Sequence, residues 1–142
     1  MKTNIAIVLL SIMLITACKK ELRPISFGKD NCEQCRMTVM DPRFAAAILT
    51  SKGKTLPFDA EECMLRYIKS KGIAEDDHCF VSDYTLPGTL IPADEAVFLH
   101  GDSIDSPMGG NLAAFSKKSP ADSVQKRLGG RMLLWQELVR KP

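Results

Sequence analysis

The chain has 142 residues, which suits one compact unit or two small units packed together. Its 45% hydrophobic and 25% charged residues are typical of a globular protein and argue against disorder along most of the chain. The 19 basic and 17 acidic residues leave a net charge of +2, which gives no support to a nucleic-acid partner, since such a partner requires a basic surface.

The N-terminus has the pattern of a bacterial lipoprotein signal peptide over residues 1–17. A short positive region precedes an apolar run at 5–15, and the sequence ITAC that follows resembles a lipobox ending at Cys18. The apolar run is too short for a membrane span, which takes roughly 20 residues. We therefore expect cleavage before Cys18 and lipidation of its thiol, which anchors the protein to a bacterial membrane facing the periplasm. Two lysines follow Cys18 without an aspartate retention signal, and this favours the outer membrane.

Residues 18–31 are polar and contain a proline, so we predict a lipidated N-terminus and tether that leads into a first folded unit at 32–85. In that unit, apolar segments at 44–50 and 55–58 flank a glycine-containing turn, a pattern that predicts a β-hairpin. A further strand is predicted at 79–84, after a helix.

The predicted helix begins at Asp59 as N-cap, with Glu62 at the N3 position of a capping box. Gly72 stands where a left-handed C-terminal cap belongs. Apolar side chains recur at the helical period on one face, at Ala60, Cys63, Met64, Tyr67 and Ile68. This periodicity accounts for Cys63 as a core residue, since free cysteine is commonly buried.

The second half repeats this order after a linker at 86–95 that is rich in proline and glycine. Within the second unit, 96–142, strands are predicted at 96–100 and 111–115, followed by a helix with Ser119 as N-cap and Pro120 at N1, and by a last strand at 131–135. The residues therefore predict an α+β fold of two related ββαβ units after the signal peptide.

The sequence CEQCRM at 32–37 offers two thiols and a thioether, and three chemistries fit such a segment. A redox pair of the thioredoxin type begins a long helix, and Pro42 prevents a helix from running through this region. A structural zinc site needs four ligands, typically from two pairs, whereas this chain has one pair. The adjacent His78 and Cys79 point to opposite faces of a strand and do not make a second pair.

Copper is the third chemistry, because thiolates and thioethers favour Cu(I), which accepts two or three ligands. In an extended segment, Cys35 and Met37 lie on the same side because side chains alternate. Met108 is a candidate third ligand, since its setting in DSPMGG is unlike the periodic apolar stretches that hold the predicted core residues Met64 and Met132. The residues alone leave open a copper site, a redox pair and a fixed structural disulfide.

Four segments, ITAC, CEQCRM, PFDAEECMLRYI and SPMGGNLAAF…LGGRMLLW, follow one another from residue 15 to about residue 135. In this order they resemble the NosL family, lipoprotein copper chaperones associated with nitrous oxide reductase. The resemblance implies a fold of two related ββαβ units, like that of NosL and organomercurial lyase, and Cu(I) ligands at Cys35, Met37 and Met108. Cys32 and His100 are candidate auxiliary ligands. Position 36, commonly glycine in the family, is Arg36 here.

The function that the resemblance implies is carriage of Cu(I) by ligand exchange, not catalysis. The expected partner is a transporter-linked assembly complex, and through it the copper centres of nitrous oxide reductase. Two alternatives use the same segment without copper: a thiol–disulfide oxidoreductase that cycles Cys32 and Cys35, and an interaction module with a fixed Cys32–Cys35 disulfide. A third alternative is copper delivery to a different extracytoplasmic enzyme.

Overall fold

The computed structural model of this chain describes residues 20–140, so the predicted signal peptide and the lipidation site Cys18 lie outside the described residues. Seven strands and three helices follow one another within this range. The strands are β1 Ala46–Leu49, β2 Thr55–Phe58, β3 His78–Ser82, β4 Leu90–Pro92, β5 Val97–His100, β6 Leu112–Phe115 and β7 Arg131–Leu134. The helices are α1 Glu61–Lys71, α2 Lys118–Leu128 and α3 Trp135–Val139.

Both predicted hairpins form, and each belongs to a separate antiparallel sheet. The first sheet has the order β2-β1-β3-β4 and the second the order β6-β5-β7, so that in each the first strand lies between its partner in the hairpin and the strand after the helix. A phenylalanine ends the second strand of each hairpin and pairs with the first residue of the first strand, Phe58 with Ala46 and Phe115 with Val97. This equivalent register confirms the prediction of an α+β fold built from two related ββαβ units.

The two units are joined at the end of β3. An isolated parallel bridge links Asp83 to Ala114 of β6, and the Tyr84 amide donates a hydrogen bond to the Ala114 carbonyl at 2.8 Å. The Asp83 carboxylate accepts hydrogen bonds from the amide and hydroxyl of Thr85 and from the amide and hydroxyl of Ser116. The joint therefore depends on one buried carboxylate that contacts backbone of both units.

Apolar packing also crosses the joint. The Tyr84 ring lies 5.5 Å from Phe44 and 5.6 Å from Phe115, centroid to centroid, in tilted or edge-on geometries that aromatic pairs prefer. Each of the two hydrophobic clusters contains side chains from both units; for example, Met64 and Phe98 share the larger cluster. These two sheets and both clusters are formed by residues 20–140.

Two predicted helix starts are wrong, that of α1 by one residue and that of α2 by two. Helix α1 begins at Glu61 after Ala60 rather than after Asp59, and no side chain caps it. The Asp59 carboxylate instead accepts the Met40 amide at 3.3 Å. Helix α2 begins at Lys118, ahead of the predicted cap Ser119. Pro120 still lies in the first turn, where its missing amide hydrogen costs no intrahelical bond.

Two elements were not predicted. Strand β4 lies inside the segment 86–95 that we expected to be a linker, and it pairs with β3 as an edge strand ending at Pro92. Helix α3 follows β7 directly, beginning at Trp135, whose ring stacks on Phe98 with centroids 6.0 Å apart. Among residues 20–140 no helix has the length and apolar character needed to cross a membrane.

Candidate metal centre

The segment CEQCRM forms a tight loop, and our prediction of an extended segment is wrong. The Cys32 amide donates to the Met37 carbonyl at 2.8 Å, and the Arg36 amide donates to the Cys32 carbonyl at 3.0 Å. Arg36 has φ of +66°, in the left-handed region that favours glycine. The chain turns back here because these bonds close the loop, so strand alternation does not place the Cys35 and Met37 side chains together.

The loop lies against the end of β2, because the Glu33 amide donates to the Pro57 carbonyl at 2.9 Å. Residues 59 and 60 then lead into helix α1, whose third residue is Cys63. This arrangement brings together three thiols, those of Cys32, Cys35 and Cys63, whose Sγ atoms all lie within 4.8 Å of one another. Cys32 and Cys63 are fully buried and Cys35 is half-buried. All three are free thiols in this structure.

The thiols are electrostatically unequal. A hydrogen bond from the Cys63 thiol lowers the pKa of Cys32 to about 5, helped by backbone amides and opposed by burial. The same hydrogen bond, together with burial, raises the pKa of Cys63. Burial also raises the pKa of Cys35. Cys32 is thus the thiol of the cluster that loses its proton most readily, and thiolate is the form that binds metal.

Met37 and Met108 have different environments. The Met37 side chain is 58% exposed at the end of the loop. Met108 was expected to lie outside the core, but it is half-buried and packs against both hydrophobic clusters. The structure therefore gives Met37 an open surface position, whereas Met108 is held by apolar neighbours.

The loop that carries Met108 docks on the first turn of α1. The Ser106 hydroxyl donates to the Glu62 carboxylate and accepts the Asn111 amide at 3.0 Å. Gly110 packs against the Glu62 side chain so closely that a Cβ atom there would lie 2.7 Å from Glu62 Cδ. Because Glu62 precedes Cys63, the Met108 loop and one thiol of the cluster share the same helical turn. Joint binding of one copper by Cys35, Met37 and Met108 stays a prediction.

The candidate auxiliary ligands differ in position. Cys32 belongs to the thiol cluster. His100 is exposed at the end of β5, between Leu112 and Arg131 in the register of its neighbours, and its role stays a prediction. Cys79 lies in β3, where burial raises its pKa to about 12, and it does not belong to the cluster.

Cys63 is the member of the cluster that sequence reasoning assigned to the core alone. It is indeed on the buried face of α1, so that prediction is correct as far as it goes. Its thiol also lies close to those of two cysteines that come 28 and 31 residues earlier in the chain. Nothing in the local sequence signals this approach, because the helical period already explains the burial of Cys63.

Comparisons with known proteins agree on one family. The family model described as NosL matches residues 24–141. The chain is 26% identical over 129 residues to the copper-binding lipoprotein NosL of Stutzerimonas stutzeri, an alignment that covers 84% of this chain and 68% of the relative. The structure is similar to that of the copper chaperone NosL from Shewanella denitrificans, with a TM-score of 0.73 and 22% identity, covering 83% and 95% of the two chains. Neither relative is named as an enzyme.

Proposed function

The chain belongs to the NosL family, and from this premise we propose that it is a membrane-anchored Cu(I) chaperone. In this proposal it delivers copper for the maturation of the copper centres of nitrous oxide reductase. The observation that carries the copper-binding part is the convergence of three thiols beside a loop that holds Met108 and a surface that exposes Met37. The names of the two relatives support the same cargo.

The donor set favours Cu(I) over harder ions. Thiolate and thioether are soft ligands, and they select Cu(I) among the metals available to a bacterial envelope protein. We propose that copper is bound by Cys35, Met37 and Met108, with Cys32 next to the site. Cys35 and Met108 are half-buried and Met37 is exposed, so an acceptor can reach the ion from the Met37 side.

The exposure of this side suits carriage rather than catalysis. A copper ion with two or three ligands accepts an incoming donor before an outgoing ligand leaves, so transfer proceeds by ligand exchange without release of free copper. The partner in this proposal is a transporter-linked assembly complex, inferred from the family resemblance. The proposed lipid anchor at Cys18 would keep the carrier at the membrane surface, where a membrane-bound partner is also found.

The proposal is tested by anaerobic titration of reduced residues 20–140 with Cu(I) against a competing chelator. We expect one tightly bound copper per chain, and weaker binding in C35S, M37A and M108A. M64A is the matched control, because Met64 is a fully buried core methionine and its loss should lower stability while leaving copper affinity in the folded protein unchanged. Absence of copper binding by the reduced wild-type segment would refute the proposal.

One observation favours a second candidate, a thiol–disulfide oxidoreductase. The Sγ atoms of Cys32 and Cys35 lie within 4.8 Å of each other, and the Cys63 hydrogen bond lowers the pKa of Cys32, which favours the thiolate that attacks in thiol exchange. This function predicts disulfide reductase activity that C32S and C35S abolish and that M37A and M108A leave unchanged. Copper affinity and reductase activity measured on the same set of variants separate the two functions.

A further inference from the structure

The three-thiol cluster is close to the geometry that a trigonal metal thiolate requires. A metal–sulfur bond of about 2.3 Å, as in zinc thiolates, places three sulfurs around one ion about 4 Å apart. The Sγ atoms of Cys32, Cys35 and Cys63 lie within 4.8 Å of one another, so small side-chain rotations bring them to that separation. Ordinary core packing of cysteine does not require such convergence; Cys79, also free, lies apart in β3.

We propose that Cys32, Cys35 and Cys63 form an inner Cu(I) position, distinct from the outer position at Cys35, Met37 and Met108, with Cys35 shared between the two. This inference rests on the proposed function in one respect, that copper is the cargo. One copper occupies one position at a time, because both need the Cys35 sulfur.

The ligand count identifies the ion that suits this position. Within residues 20–140, no fourth histidine, cysteine or carboxylate joins the three thiols, whereas a structural zinc site requires four ligands. Cu(I) is satisfied by three sulfurs. Each thiol that binds copper gives its proton to solvent, and copper enters and leaves as Cu(I), so no oxidant or reductant takes part.

The inner position is expected to bind more weakly than the outer one. Three thiolates around Cu(I) form an anion in a buried place, whereas one thiolate and two neutral thioethers form a neutral complex. Backbone amides offset part of this cost; for example, the Cys35 amide donates to the Cys32 sulfur at 3.5 Å. The first turn of α1, which contains Cys63, adds the positive end of the helix dipole.

Sharing of Cys35 gives copper a path between the two positions. Exposure falls from Met37 at the surface, through half-buried Cys35, to the fully buried Cys32 and Cys63. Copper that exchanges its methionine ligands for Cys32 and Cys63 moves inward without leaving Cys35. The inner position thus retains the ion when the exposed methionine is engaged by another protein.

The test removes the thioethers and asks what binding is left. Reduced residues 20–140 carrying M37A and M108A are titrated with Cu(I) against a chelator, and X-ray absorption at the copper edge counts the sulfur ligands. We expect residual binding of one copper by three sulfurs, with affinity lower than that of the wild-type segment. Adding C63S should reduce this residual affinity by at least about tenfold, the scale seen when a metal site loses even an outer-shell contact.

C79S added to the same background is the matched control, because it removes a free thiol outside the cluster and should leave the residual binding unchanged. C63A is measured beside C63S, and circular dichroism of each variant verifies folding, since a hydroxyl in this buried place is destabilising. Residual binding that survives both C63S and C63A, or no residual binding in M37A/M108A, would overturn the inner position. Loss of copper binding in the wild-type segment would instead refute the proposed function itself.

Discussion

The carboxylate of Asp83 is predicted to contribute more to stability than any exposed ion pair among residues 20–140. Asp83 is 1% exposed and accepts the Thr85 amide at 2.9 Å, the Thr85 hydroxyl at 2.7 Å, the Ser116 amide at 3.1 Å and the Ser116 hydroxyl. A hydrogen bond to a charged group contributes about 1.5–3 kcal/mol. Thr85 and Ser116 are both exposed residues, so water replaces the Asp83 carboxylate at their hydroxyls when that carboxylate is removed. Only the two amide hydrogen bonds are therefore counted in the loss of stability.

At the lower value for each amide bond, D83A is expected to lose about 3 kcal/mol of unfolding free energy. For a domain of this size that corresponds to a fall of about 10 °C in Tm. Urea unfolding followed by circular dichroism measures the loss. D77A is the matched control, because Asp77 also accepts two backbone amides, at 2.7 and 2.9 Å, within one unit. Asp77 is only half-buried, so water replaces its carboxylate at those amides and D77A should lose less stability than D83A. Equal losses in D83A and D77A would refute the special role of the joint.

The stability that Asp83 contributes is expected to fall at low pH. Burial alone would raise the pKa of Asp83, but the hydrogen bonds from Ser116 and Thr85 outweigh it, and the pKa is lowered from 3.8. The native carboxyl therefore binds its proton less readily than the unfolded one. Its stabilisation is fully present above the unfolded pKa and is lost as pH falls through the native pKa. The stability difference between wild type and D83N should shrink below about pH 4, and a difference that grows there would contradict this account.

Three further substitutions test individual positions. R36G should raise the free energy of unfolding in urea by about 0.5–1 kcal/mol, because glycine adopts the left-handed backbone of position 36 without the penalty that a side chain incurs. A lower free energy of unfolding in R36G would refute backbone strain at this position. G110A should destabilise by about 1–3 kcal/mol and weaken Cu(I) binding, because its Cβ would displace the Met108 loop from Glu62. Glu61 is fully buried with neither carboxylate oxygen hydrogen-bonded, and burial raises its pKa well above 4.5. Wild type therefore loses stability as pH rises through that native pKa, and E61Q should be more stable by about 1–2 kcal/mol at pH 7.5, with a smaller gain at pH 4.5.

The sequence predicted those elements whose signal is local. The two hairpins were located correctly because each places two apolar segments around a turn, and Gly72 follows α1 with positive φ as predicted. The start of α1 was misplaced because the carboxylate of Asp59 binds a backbone amide 19 residues away instead of capping the helix. Such a partner is invisible in a local pattern, and β4 was missed because a three-residue strand ending in proline resembles a linker.

The residues of the candidate site likewise divide into those with a local sequence signal and one without such a signal. The segment CEQCRM and Met108 stood out by composition, since sulfur side chains beside proline and glycine are unlike a periodic core. Cys63 did not stand out, because the helical period already explains its burial. Its approach to Cys32 depends on the Glu33–Pro57 hydrogen bond that docks the loop on β2, and this tertiary contact has no counterpart in local sequence.

The proposed donors are divided between the two units, and this division makes the joint relevant to copper. All three thiols belong to the first unit, whereas Met108 belongs to the second and is held near them by the Glu62–Ser106 contact and by the Asp83 joint. If the outer position requires Met108, then loosening the joint should weaken it while sparing the thiol cluster. Under conditions where it remains folded, D83A should therefore bind Cu(I) with an affinity between those of wild type and M108A. D83A combined with M108A should bind no more weakly than M108A alone, since the joint acts on copper only through the methionine.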